Sequence, residues 1–254
     1  MSLDCKNPFA PGDALTLGLN LPTLNGASGC TMMSWTDLDA MPNPDVDDFA
    51  GFFEISIGPP PGVSNVSRVA FEIGNRAPAG TQIEYGVIVR APDSNGQEVN
   101  SGAGSGQGGL VHVAITIDLI TKIITFYKNG QAITAAFAPS IVDPAFENTN
   151  SKVAAIAAAD DSSREFIDGR LEDLRVYNRV LSANEIQTIF ECQGVDGIVL
   201  GLRHRFELQS GPAGSTFLGI SAQDSAELAR DAVVSSGSPT YAESIAPTFR
   251  RRLP

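Results

Sequence analysis

The acidic side chains are the first place to look for chemistry. The chain has 254 residues, 29 of them Asp or Glu. Hydrolysis of a glycosidic bond needs two carboxyl groups about 5–10 Å apart on one surface. Glu172-Asp173 is an adjacent acidic pair in a strand-like run. Neighbours on a strand point to opposite faces, so the alternation sets this pair apart rather than together. Asp45, Asp47 and Asp48, and separately Asp160 and Asp161, lie in loop-like stretches and could offer oxygens to calcium. Neither group has the regular spacing of an EF-hand loop, and solvated surface charge is the simpler reading of both, since calcium needs more ligands than they show. Calcium is the cofactor open to these residues, and no cofactor is required.

Histidine chemistry has little to work with. Only His112 and His204 are present. His112 stands between Val111 and Val113 in a strand pattern and reads as a hydrogen-bonded histidine of a sheet. His204 stands between Arg203 and Arg205, which suits a surface or an interface. No nucleophile-elbow pattern accompanies either. The glycines of 101–109 precede a strand rather than a helix, so they make a flexible loop and not a phosphate cradle.

Charge and composition narrow the partners. The formal charge is −12, which disfavours direct nucleic-acid binding. Arg250, Arg251 and Arg252 are the exception. They form either a solvated tail or a contact for an acidic neighbour. No stretch reaches the roughly 18 apolar residues of a membrane span. Residues 1–9 lack a basic region followed by an apolar run, so no secretory signal is expected. Cys5, Cys30 and Cys192 are odd in number and at no metal-ligand spacing. They read as free thiols made in a reducing cytoplasm, with a Cys5–Cys30 bridge as the alternative.

The elements that must position these groups are strands. With 25 Gly and 16 Pro, the chain suits many short strands joined by turns. Residues 52–57, 69–73, 82–90 and 111–118 each carry a strand signal and most end at a Gly/Pro/Asn cluster. Residues 121–133 add a second β-rich run with Asn129-Gly130 as a type I′ turn signal. Residues 166–177 alternate, and Ser182-Ala183-Asn184-Glu185 then opens a helix over Ala183–Phe190 with a capping box. The helix presents Ile186, Ile189 and Phe190 on one side. Trp35 reads as a core residue of an early strand. Phe49, Phe52 and Phe53 read either as core or as an exposed patch for a partner.

Two of these segments carry a resemblance. The segment 166–190 resembles the closing "GxIDDVRIYNRALSxxEI" segment of laminin-G-like (concanavalin A-like) jelly-roll domains. Residues 111–133 resemble the "WHHVAVTYDxxTGxxxLYVNGxxV" hairpin of the same family, departing from it at Leu110-Val111, where the family has Trp-His. The resemblance runs from about Asp13 to Phe190. It implies an all-β sandwich with one short helix near 183–190, and it makes Asn129, Gly130, Gly169, Asp173, Tyr177, Ser182 and Glu185 fold-motif positions. The Glu-x-Asp-x-x-Glu pattern of the family's glucanase branch is absent.

Residues 1–195 are thus expected to form the sandwich, and 196–254 a C-terminal extension. Residues 197–208 and 224–241 resemble the family's opening, out of its usual order. The extension either completes this sandwich or packs on a neighbouring subunit. The fold serves lectins, glycosidases, adhesion modules and virion proteins alike. The first expectation is a non-enzymatic structural protein of a bacteriophage-like virion, a capsid decoration or a tail or fibre component, made in the host cytoplasm. It would contact other virion proteins and copies of itself through Phe49 and the terminal arginines. The alternative is a carbohydrate-binding lectin module for surface attachment, calcium-assisted or not. A glycosidase with a degenerate site stands third.

Overall fold

The alternating patterns become strands, and the one capped pattern becomes a helix. The computed structural model describes residues 2–5, 14–16, 23–40, 49–57, 67–76, 82–90, 97–102, 104–106, 109–141, 144–146, 151–156, 167–193, 195–206, 233–236 and 240–242. In chain order the elements are β1 (Ser2–Cys5), β2 (Ala14–Thr16), β3 (Gly29–Ala40), β4 (Phe49–Ile57), β5 (Ser67–Arg76), β6 (Gln82–Arg90) and β7 (Gln97–Asn100). Then come β8 (Gly109–Asp118), β9 (Ile123–Lys128), β10 (Gln131–Phe137), β11 (Ser151–Ile156), β12 (Asp168–Tyr177), α1 (Ala183–Cys192), β13 (Leu202–Phe206), β14 (Val233–Ser236) and β15 (Thr240–Ala242).

Two antiparallel sheets result. Sheet A runs β10-β9-β8-β3-β12-β1-β15, with β13 also paired to β12. Sheet B runs β14-β2-β11-β4-β5-β6-β7. Their facing sides hold the main core, which includes Phe52, Phe53, Ile55, Phe71, Tyr85, Val87, Val113, Ile115, Phe126, Leu171, Val176 and Phe206. Period-two alternation puts these residues inward and their neighbours outward. A register shift between Gly51 and Phe53 lets both Phe52 and Phe53 enter the core. That answers the question left open for these two.

The β9–β10 hairpin turns at Asn129 and Gly130, with φ of 50° and 77°. Both residues are left-handed, as a type I′ turn requires. Asn129 also locks the turn to β8: its N–H donates to the His112 carbonyl at 2.8 Å, and its Oδ1 accepts from the His112 N–H at 3.0 Å. Beyond residue 195, β13 pairs with β12, β15 with β1 and β14 with β2, so the described strands of this segment hydrogen-bond to both sheets of the same chain.

Candidate functional site

The outer face of sheet A is closed by α1. Ser182 caps the helix, accepting from the Glu185 N–H at 3.3 Å, while the Glu185 carboxylate accepts from the Ser182 N–H at 2.9 Å. The helix runs to Cys192 and stops at Gln193 in the left-handed region, one turn-half beyond the expected Phe190. Ile186 and Ile189 bury against Met33, Ala114, Tyr127, Tyr177 and Leu181 in a second, smaller core. Phe190 stacks on Trp35 at 5.5 Å, and Trp35 meets His112 edge-on at 5.2 Å. The tryptophan is therefore buried, but beneath the helix rather than between the sheets.

A buried charge cluster lies on the same face. Asp173 sits at a bulge of β12 with φ 49°, so the alternation expected for Glu172-Asp173 breaks there. Both acids are buried. Arg175 grips the Asp173 carboxylate from Nε and Nη2, the shorter contact being 2.6 Å, and pairs with Asp196 at 2.8 Å. Arg205 adds a bond from Nε to Asp173 at 2.8 Å. Tyr177 donates to the Ile198 carbonyl at 2.9 Å. Two cations thus balance two carboxylates and fasten the chain after α1 to β12. Burial pushes the Asp173 carboxyl up, but the charges and hydrogen bonds of Arg175 and Arg205 outweigh it and hold it below the usual carboxylate range. Burial also opposes the Arg175 charge, and Asp173 and Asp196 overcome it.

His112 borders this cluster. Burial and the nearby Arg175 charge lower its pKa to about 4, against a smaller opposing effect of Asp173. Its Nδ1 is buried without a hydrogen-bond partner among the described residues, as is the Trp35 Nε1. The expectation of a hydrogen-bonded sheet histidine holds for its backbone and fails for its ring. His204 needs a larger correction. It is fully buried, bonded to Thr23 Oγ1 at 2.7 Å and stacked on Phe206, so it is a core residue and not a surface one. The flanking Arg203 and Arg205 occupy the other face of β13, where alternation puts them.

The outer face of sheet B is chemically different. Core residues on β5 and β6 alternate there with Ala70, Glu72 and Gly74, and with Glu84, Gly86 and Ile88. Register places Glu72 between Gly51 and Gly86, Gly86 beside Asn100, and Gly74 beside Glu84. Glu54, Glu72 and Glu84 then form a diagonal row across three strands. Exposure grows toward the sheet edge. Glu54 and Glu72 are 1% exposed and Glu84 7%, whereas Asn100 is half-buried and Glu98 exposed. Asn100 Nδ2 donates to Glu98 Oε1 at 3.2 Å. Its Oδ1 is buried with no partner among the described residues. A carboxylate, an amide with a spare acceptor and small glycines between them suit a polar ligand that carries hydroxyl donors.

Comparison with known proteins fits this architecture. The family model for the concanavalin A-like lectin/glucanases superfamily matches residues 12–187. The chain belongs to that superfamily. Solved structures similar to this superfamily member include a candidate carbohydrate-binding protein from Bacteroides ovatus, with a TM-score of 0.58 and 14% identity over 96% of this chain and 60% of that one. A heptameric SAP-like pentraxin from Limulus polyphemus gives 0.59 and 12% over 96% of both chains. The CBM40 of the Ruminococcus gnavus IT-sialidase, bound to alpha2,3 sialyllactose, gives 0.52 and 13% over 75% of this chain and 98% of that one. At these identities the likeness is one of fold. No curated protein sequence matches significantly.

Within this lectin-like fold, the motif residues have structural places. Gly169 has φ +151°, and a Cβ there would stand 2.5 Å from the Asp37 carbonyl, so β12 and β3 need a glycine at this crossing. Asn129, Gly130, Asp173, Tyr177, Ser182 and Glu185 hold the turn, the charge cluster and the helix cap described above. Cys30 is a free, buried thiol, pushed up by burial, and Cys192 is free and exposed. Asp45, Asp47, Asp48, Asp160, Asp161 and Arg250 to Arg252 lie outside the described residues, as does the Phe49 side chain. No cluster of three or more His, Cys, Asp or Glu among the described residues has metal-binding geometry. The Glu54–Glu72–Glu84 row, Glu98 and Asn100 went unnoticed in the sequence. The repeated Glu-x-Gly of Glu72–Gly74 and Glu84–Gly86 is the signal that pairs them.

Proposed function

We propose that this protein is a non-enzymatic carbohydrate-binding module whose ligand meets the outer face of sheet B at the β6–β7 edge. The observation that carries the reading is the unpartnered Oδ1 of Asn100, on one face with Glu84, Gly86 and Glu98. Sugar hydroxyls donate first to the exposed Glu98 carboxylate, which the Asn100 amide keeps oriented, and reach the buried Asn100 Oδ1 once the side chains over it turn aside. Trp35 takes no part in stacking, because Phe190 covers it. Recognition is therefore polar, with binding set by hydrogen bonds rather than by an aromatic platform.

Membership in a lectin/glucanase superfamily supports this reading, and the missing Glu-x-Asp-x-x-Glu pattern supports binding over hydrolysis. The similar structures named above give no support to the expected virion role. The test is calorimetric titration of a retained oligosaccharide against the wild type, Asn100→Ala and Glu84→Gln. Both variants weaken binding at least tenfold with unchanged melting temperature. Unchanged affinity in both removes the site. Repeating the titration with a chelator reads whether calcium, through Asp45, Asp47, Asp48, Asp160 and Asp161, assists.

A further inference from the structure

The two sheets have five edge strands among the described elements, and they are unequal: β13, paired only with β12, has five residues. β15 has three residues, and β14 and β7 have four each. β10 has seven. A short edge strand offers little template for another chain, whereas a long one offers a row of free backbone groups. Among the described residues no strand pairs with the outer side of β10.

The side chains do nothing to guard it. No residue from Asn129 to Val142 is charged, in a chain of formal charge −12. Edges are usually protected by lysine, proline or inward-pointing charge. A bulge between Ala132 and Thr134 interrupts the start of β10 and leaves Thr134–Phe137 regular. Ala138 N–H donates to the Lys122 carbonyl at 2.8 Å. Alternation then turns the backbone groups of Ala136 toward β9 and those of Ala135 and Phe137 away from it. Phe137 is 63% exposed, and its cross-strand neighbour Ile123 is 42% exposed.

We propose that β10 is a self-association edge, at which two copies of this chain pair antiparallel about a two-fold axis. Most of the surface of so acidic a chain repels its own copy, and this edge does not. A two-fold axis at Ala136 sets Ala135 of each protomer opposite Phe137 of the other, so both residues exchange N–H and carbonyl groups. Such a contact is self-complementary and closes at two subunits. It joins the two A sheets into one continuous sheet and covers both Phe137 rings. The inference is independent of the carbohydrate reading, since β10 belongs to sheet A and the proposed glycan edge to sheet B.

Light scattering coupled to size exclusion tests it on the full chain at high micromolar concentration. The wild type runs at twice the 26.7 kDa of one chain. Phe137→Lys adds charge at an exposed position, and Ala135→Pro removes an outward amide without touching the bonds to β9. Both variants run as monomers and keep the cooperative thermal melt of the wild type. A wild type that stays at 26.7 kDa overturns the proposal, and so does a dimer that survives both substitutions.

Discussion

Acid should loosen this protein through one buried imidazole before it touches the carboxylates. His112 is fully enclosed between Trp35, Phe190 and the Arg175 cluster, which lowers its pKa from 6.5 to about 4. The unfolded chain therefore binds a proton on this residue well before the folded chain does. The sign follows: stability is intact above pH 6.5 and falls as the pH drops toward 4. A gap of two to three pKa units corresponds to about 3 kcal/mol at its full extent, and roughly 2–3 kcal/mol of it is lost between pH 7.5 and 4.5. Asp173 is lowered from 3.8, so its own loss lies below this window. The assay is urea unfolding at steps across pH 4.5–7.5 for the wild type and His112→Leu. Because the His112 Nδ1 has no partner, leucine strands no hydrogen bond, and the variant should lie within about 1 kcal/mol of the wild type at pH 7.5. Its stability should then fall less with acid, by that same 2–3 kcal/mol. Equal slopes in the two proteins would refute the reasoning.

Three further outcomes follow from the same geometry. Arg175→Met leaves Asp173 and Asp196 buried with Arg205 as the remaining counter-ion on Asp173, and denaturant unfolding should register a loss of about 3–5 kcal/mol. Gly169→Ala drives a methyl group to 2.5 Å from the Asp37 carbonyl and 2.7 Å from the Leu38 Cα, and should cost upward of about 2 kcal/mol by the same measurement. Ser182→Ala removes the cap hydroxyl and should cost about 1 kcal/mol, with the helix signal in circular dichroism melting earlier.

Much of the fold could be read from two stretches because they combine local rules with a fixed order. Asn129-Gly130 dictates a left-handed turn by backbone sterics alone, and Ser182 to Glu185 dictates a cap by side-chain reach. Period-two alternation found β5, β6 and β8 for the same local reason. It failed where the chain departs from the period. The bulge at Asp173 brings two neighbouring acids into one buried region, and the bulge after Gly51 turns two successive phenylalanines inward. His204 was misplaced because its arginine neighbours were taken as its surroundings, although a strand sends neighbours to the opposite face. The candidate site was hidden for another reason. Glu72, Glu84 and Asn100 meet through the register of β5, β6 and β7, and beyond the repeated Glu-x-Gly of the first two the chain carries no trace of it.

The central claim is that the outer face of sheet B binds carbohydrate. A glycan array probed with the folded wild-type chain and with Asn100→Ala tests it most directly. The account predicts saturable binding of the wild type to at least one class of oligosaccharide, and its loss in Asn100→Ala. A folded wild type that binds no glycan on the array, or binding that Asn100→Ala leaves unchanged, would contradict it.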